Sequence, residues 1–267
     1  MTTHIVAGLT VEVEGEGEGA TIVCVHGLGG SSNTWTPVMA ALQGHRIVRI
    51  DLPGSGRSPA RSPADTGELN IASMADAVQA VCRELDITKA TFLGHSMGTI
   101  VCQHIATQNP ALVTGLALFG PLVCPPDAGR AGILARADKA ATGGAAAMQE
   151  IADAIVGAAT SRETKAQQPA VLALVRESVM RQTPEGYGQS CTALATAQAA
   201  AIEEISVPTL LITGDQDGVA PAANVAAMAE RIKGSEMVVL EGCGHWTTFE
   251  RPQECMQQLT KFLSSSK

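Results

Sequence analysis

Six short apolar runs, each closing on a glycine, an aspartate or a serine, constrain this chain more than any other feature. They are residues 20–27 (ATIVCVHG), 46–51 (RIVRID), 90–96 (ATFLGHS), 115–120 (GLALFG), 208–214 (PTLLITG) and 236–242 (EMVVLEG). Continuous apolar runs of this length suit parallel strands buried on both faces, because a strand with one wet face alternates instead. Helix-like stretches lie between them. Residues 73–87 carry Ser73 as a cap and Asp76 at the third helical position, and residues 97–110 stop at Pro110. Strand alternating with helix predicts a doubly wound, mostly parallel sheet, an α/β fold. Residues 4–25 alternate better and include Gly15, Gly17 and Gly19, which predicts an antiparallel hairpin at the sheet's edge.

Residues 121–206 break this pattern. They are rich in alanine and glutamine, hold no strand-like run, and keep helical apolar spacing. The expected organisation is a core from residues 1–120 and 207–267, with residues 121–206 inserted as a helical cap, or lid. A chain of 267 residues buries a large single core without needing a second one.

Composition excludes several classes. A formal charge of −8 and 3% aromatic residues argue against nucleic acid and against an anionic membrane surface. No run of 18 apolar residues suggests a membrane span. The seven cysteines are scattered without a CxxC pair or a Cys/His ligand spacing, so reduced thiols are expected, with no metal. The amino-terminal stretch has no basic start followed by an apolar block, and a cytoplasmic location is expected.

The chemistry centres on Gly94-His95-Ser96-Met97-Gly98, between a strand-like and a helix-like run. A serine on so tight a turn is exposed above the sheet edge, with glycines where side chains would collide with the flanking elements. The helix that starts there favours negative charge beside the hydroxyl. A serine nucleophile needs a base, and the base needs an orienting carboxylate. His245 lies in a glycine-rich loop after the last apolar run, which can carry it over the sheet. His95 would point away from Ser96, His104 falls within a helix, and His26 is expected to brace its loop. The loop after residues 208–214 offers Asp215 and Asp217. Asp215 directly follows the Gly214 turn and suits a brace; Asp217 is preferred as the carboxylate. An oxyanion needs backbone donors. Met97, next after Ser96, supplies one N–H, and Leu28, after His26-Gly27, supplies the other. The glycines of residues 27–30 form neither GxGxxG nor a loop ending in Gly-Lys-Ser/Thr, so nucleotide binding is not expected. In residues 51–58 (DLPGSGRS) Asp51 and Arg57 are expected to pair. Trp35, Leu122, Val123, Tyr187 and Trp246 are candidate substrate-pocket walls. Cys243 is read as a loop thiol, because Ser96 already fills the nucleophile's place.

Residues 26–35 (HGLGGSSNTW), 51–58, 94–98 (GHSMG), 109–120 (NPALVTGLALFG), 207–221 (VPTLLITGDQDGVAP) and 242–254 (GCGHWTTFERPQE) together resemble the α/β-hydrolase superfamily over nearly the whole chain. Within it, the layout is similar to the group of 3-oxoadipate enol-lactonases, small carboxylesterases and cofactor-free haloperoxidases. Residues 183–194 (TPEGYGQSCTAL) resemble an enol-lactonase segment. The resemblance implies an eight-stranded mixed sheet, a helical cap and a triad of Ser96, Asp217 and His245 in that chain order. It implies hydrolysis of a small, aliphatic carboxylic ester or lactone without a cofactor. Other chemistries of the same triad (perhydrolase or haloperoxidase activity, C–C hydrolysis, hydroxynitrile cleavage) and a ligand-binding scaffold stand as alternatives. Thr99 departs from the pattern, since many relatives carry another glycine there.

Overall fold

All six apolar runs form strands. The computed structural model describes residues 1–15, 20–60 and 68–265. In chain order its elements are β1 (Thr2–Val6), β2 (Leu9–Glu14), β3 (Thr21–Val25), a 3-10 segment (Ser32–Leu42), β4 (Ile47–Ile50), α1 (Ile71–Glu84), β5 (Ala90–His95), α2 (Met97–Gln108) and β6 (Val113–Phe119). There follow α3 (Asp127–Ala159), α4 (Arg162–Gln167), α5 (Pro169–Met180), α6 (Pro184–Ala195) and a 3-10 turn (Ile202–Glu204). The chain closes with β7 (Thr209–Gly214), α7 (Ala222–Arg231), β8 (Ser235–Leu240), α8 (Thr247–Glu250) and α9 (Pro252–Ser265).

The strands form one eight-stranded sheet in the order β1-β2-β4-β3-β5-β6-β7-β8. β1 and β2 run antiparallel, and every pair from β4 to β8 is parallel. Of the strands with continuous apolar sequence, β4, β5 and β7 are buried at every residue, whereas β8, at the sheet's other edge, is buried only at Leu240 and so departs from the expected two-sided burial. Edge strand β1 is exposed over most of its length. One buried apolar cluster covers the face that packs α1, α2 and α7, and a second covers the face that packs the 3-10 segment and α9. Such burial contributes roughly 1.5–3 kcal/mol for each large aliphatic side chain. The strand order reverses between β3 and β5, and the crevice beyond the carboxyl ends of these two strands is where open α/β sheets bind ligands.

The antiparallel hairpin expected at the sheet's edge is formed by β1 and β2; it turns at Ala7-Gly8, both with positive φ, and β2 goes on to pair with β4 rather than with β3. A two-residue turn of this twist closes a hairpin sooner than the glycines at 15–19 would; Gly17 and Gly19 lie outside the described residues. The cap of α1 is Asn70, whose side chain accepts from the Ser73 N–H at 2.8 Å, while Ser73 reaches back to the Asn70 N–H at 3.0 Å. Ser73 therefore completes a capping box from the third helical position.

Helices α3 to α6 lie between β6 and β7 and build a small core of their own around Met148, Ile151, Val175, Val179 and Tyr187. The long α3 bends at Gly144 (φ 58°, ψ −142°), so its two arms lean over the sheet's carboxyl edge. Among the described residues no helix is long and apolar enough to cross a membrane, and no cluster of histidine, cysteine and carboxylates has metal-site geometry.

Candidate active site

Strand β5 ends in a turn that forces Ser96 into φ 50°, ψ −119°, a strained backbone for a residue with a side chain. The turn is fixed from several sides. The Ser96 N–H donates to the Phe119 carbonyl at 2.9 Å. A Cβ on Gly98 would fall on the carbonyl oxygens of Val25 and His26, so α2 meets β3 only because that side chain is missing. Thr99 explains its own departure: its hydroxyl donates to the Ser96 carbonyl at 2.6 Å and accepts from the Leu122 N–H at 3.1 Å, tying the elbow to the chain after β6.

The Ser96 hydroxyl lies 2.8 Å from His245 Nε2, and His245 Nδ1 lies 2.8 Å from Asp217 Oδ2. Because a carboxylate only accepts, Nδ1 carries the proton and Nε2 offers its lone pair to the serine. Asp217 Oδ1 accepts from the N–H groups of Val219 and Ala220, each at 2.8 Å. Burial pushes the Asp217 carboxyl up, but His245 and these two N–H groups outweigh it and bring its pKa down to about 2. Asp215 is exposed and accepts from the Cys243 N–H at 3.0 Å, bracing the His245 loop. The Cys243 thiol is buried beside that loop, and burial raises its pKa well above the usual range, so it stays protonated. Space for the pair comes from Gly120 at the end of β6: a Cβ there would lie 2.8 Å from His245 Cε1.

His95 holds His245 from the other side. Its ring is fully buried, centred 5.2 Å from the His245 ring and 5.4 Å from that of Trp246. Its Nε2–H donates to the His245 carbonyl at 2.9 Å, and burial, aided by His245, depresses its pKa to about 3. Glu250 completes the support. Its carboxylate accepts from the N–H groups of Gly244 and Trp246, flanking His245, and from Ser161 N–H and Thr164 Oγ at the start of α4. Sequence reasoning missed Thr99, Gly120 and Glu250 as supports. The signals were a glycine closing an apolar run and a glutamate at the end of a short helical turn after His245, and neither is specific alone.

The loop after β3 passes directly beside the serine, since a Cβ on Gly27 would lie 2.7 Å from that of Ser96. His26 braces this loop: its Nε2 accepts from the Leu52 N–H at 3.0 Å and its Nδ1–H donates to the Gly27 carbonyl at 2.8 Å. Asp51 accepts from the Ser32 N–H and pairs with Arg57 at 2.9 Å. Ser178 of α5 and Gln182, just past its end, hold the carbonyl of Gly29. Met97 is the first residue of α2, so its N–H has no acceptor within the helix. Among the described residues no hydrogen bond engages the Leu28 N–H either. Neither N–H named from sequence is thus taken up by another group among the described residues, and Leu28 lines the same cavity as Ser96.

A cavity of about 460 Å³ opens over Ser96 and His245, walled by both arms of α3 and by Leu28, Val219 and Trp246. Four other candidate wall residues are corrected. Trp35 lies against Phe119 (5.6 Å between rings) in the opposite core, because the apolar stripe of the 3-10 segment turns onto the sheet. Leu122 and Val123 pack against the α2 side of the core; α2 pins the Leu122 backbone through Thr99 and Gln103. Tyr187 is buried in the core between α3 and α6, behind the cavity wall. The wall comes instead from Ile151, Ala154, Ile155 and Ala158, one stripe at helical spacing on the second arm of α3, and from Ile133 and Arg136 on the first.

A family model described as alpha/beta hydrolase fold matches residues 20–252. The dihydrolipoyllysine-residue acetyltransferase component of the acetoin cleaving system of Pseudomonas putida is 29% identical over 271 residues, covering 94% of this chain and 65% of that protein. The chain therefore spans less than two thirds of that relative's length. The enol-lactonase of Burkholderia xenovorans LB400 superposes with a TM-score of 0.87 at 27% identity, over 98% of this chain and 100% of that one. A thermophilic esterase from Thermogutta terrifontis shares the fold with a TM-score of 0.90 at 22% identity, over 100% of this chain and 99% of that one.

Proposed function

The chain belongs to the alpha/beta hydrolase fold family, and from that premise we propose that it is a serine hydrolase of small carboxylic esters or lactones. The observation that carries this reading is the hydrogen-bonded line Ser96–His245–Asp217 at the floor of an apolar cavity. Ser96 Oγ attacks the carbonyl carbon while His245 Nε2 takes its proton. The N–H groups of Leu28 and Met97 stabilise the oxyanion, and each such donor is worth roughly 3–4 kcal/mol in the transition state. Collapse of the tetrahedral intermediate breaks the acyl–oxygen bond, and the imidazolium returns its proton to the leaving alkoxide. Water, deprotonated by His245, then attacks the acyl enzyme and frees Ser96. Asp217 holds the Nδ1–H tautomer and balances the imidazolium charge. In this reading residues 121–206 act as a cap that supplies the cavity wall.

Acid release from short-chain esters and lactones, followed by pH-stat with wild type and Ser96→Ala, tests the scheme. Release should fall by about 10⁴-fold or more in the variant, and the ester-to-lactone ratio then names the substrate. Wild-type turnover by Ser96→Ala would end the proposal.

A further inference from the structure

One cation on the cavity wall has no charge to answer it. Arg136, on the first arm of α3, lines the same cavity as Ser96 and His245. Arginine on a helix surface ordinarily extends its head into water. Here the half-buried side chain turns inward, beside the Tyr187 hydroxyl and the Cys191 thiol of α6. Neither neighbour neutralises it, because burial raises both pKa values, that of Cys191 to about 12. The Tyr187 hydroxyl is itself buried without a hydrogen bond of good geometry. Among the described residues no carboxylate lies within ion-pair distance of Arg136. The other charged residues on this wall, Lys139 and Glu150, are 2.7 Å apart and neutralise each other.

Apart from the Lys139–Glu150 pair, the cavity wall built by α3 around Arg136 is aliphatic. A guanidinium left unpaired in such surroundings gains most from a planar anion that accepts two of its N–H groups at once. We propose that the cavity takes an ester or lactone that also carries a carboxylate, and that the Arg136 guanidinium holds this carboxylate. The reacting half of that statement rests on the hydrolase reading above; the anion site rests on Arg136 alone. In a chain of formal charge −8 an anion is repelled at long range, so its capture depends on this local cation. Carboxylate-bearing substrates are then separated from neutral ones inside the cavity.

The test compares monomethyl glutarate with methyl pentanoate, its neutral counterpart, on wild type, Arg136→Met and Arg136→Lys. Arg136→Met keeps the aliphatic packing and removes the charge. Its kcat/KM for monomethyl glutarate should fall by about 10–100-fold, the range for a lost charged hydrogen-bonding partner. For methyl pentanoate the change should stay within about 3-fold, and Arg136→Lys should recover part of the loss. Thermal stabilisation by glutarate gives a second readout that needs no turnover: wild type should gain and Arg136→Met should not. Equal loss on both esters, equal stabilisation by glutarate in both proteins, or no stabilisation at all would overturn the anion site. If wild type hydrolyses neither ester yet glutarate stabilises it through Arg136, the hydrolase reading fails and the anion site stands.

Discussion

The two sides of the cavity are built on opposite principles. On the strand side every buried carboxylate has its oxygens filled by named donors. Asp217 takes two backbone N–H groups and His245; Asp51 takes Ser32 and Arg57; Glu250 takes three N–H groups and a hydroxyl from both sides of the loop it clamps. On the insert side the wall is an aliphatic stripe, one unanswered cation and one exposed ion pair. The first side has little freedom to be wrong, because a misplaced group strands buried partners. The second tolerates replacement one side chain at a time. Chemistry held to a fraction of an ångström belongs on the first and selectivity on the second.

The strongest way to break this contrast is to spoil one group on the rigid side while sparing the fold. Asp217→Asn keeps the shape and an acceptor for Val219 and Ala220, but places an N–H donor against His245 Nδ1. The imidazole then turns to the wrong tautomer, and kcat should fall by about 10⁴-fold, or about 5 kcal/mol. Stability should fall far less, on the order of 2 kcal/mol at neutral pH. That is the linkage value of a carboxyl at about 2 in the fold and near 3.9 when unfolded. Its pKa is depressed, so this contribution is present above about pH 4 and is lost as pH falls to about 2. Ester turnover and urea unfolding measured on the same preparation separate the two effects. An activity loss no larger than the stability loss would mean that Asp217 only supports its loop.

His95 sharpens the contrast through pH. Its pKa lies at about 3 in the fold, against about 6.5 in an unfolded chain. The unfolded state therefore binds the extra proton first as pH falls. The stabilising contribution is whole above about pH 6.5 and drains away toward pH 3. By pH 5 roughly 2 kcal/mol should be gone from this residue alone. His26, also depressed chiefly by burial, acts in the same direction. Comparing wild type with His95→Asn isolates the first: the variant should start less stable at pH 7 and lose less on going to pH 5. Parallel profiles would show that His95 is not held neutral by its contacts.

Why the rigid side was readable from sequence and the soft side was not follows from range. Buried parallel strands write themselves as continuous apolar runs, and a tight turn writes itself as glycines around a serine. Strands β3 to β8 and the juxtaposition of Ser96, Asp217 and His245 depend on such local marks and on chain order. The wall of the cavity depends on which face of α3 meets the sheet, and that is settled by the bend at Gly144 and by packing against α6. Trp35 and Tyr187 looked like pocket walls, yet Trp35 satisfied its own segment's apolar stripe by burying against Phe119. Arg136 stands in an alanine-rich helix with no mark distinguishing it from a solvated arginine. The cap of α1 slipped from Ser73 to Asn70 because either residue type can begin a helix.

The smallest effect lies on the soft side, at the Lys139–Glu150 pair that joins the two arms of α3 across the bend. Both side chains are about half exposed or more, so the pair contributes at most about 1 kcal/mol to stability. Glu150→Gln should therefore leave the melting temperature within about 3 °C of wild type. Its electrical consequence is separate. Removing the wall's one carboxylate leaves Lys139 and Arg136 facing the cavity unopposed. KM for monomethyl glutarate should fall by about 2–3-fold at low salt, with methyl pentanoate unaffected. At 1 M salt, where the Debye length shrinks to roughly 3 Å, the difference should vanish. A large loss of stability, or an equal change for both esters, would show that the pair holds the arms of α3 in place, and the insert side would then be no softer than the strand side it faces.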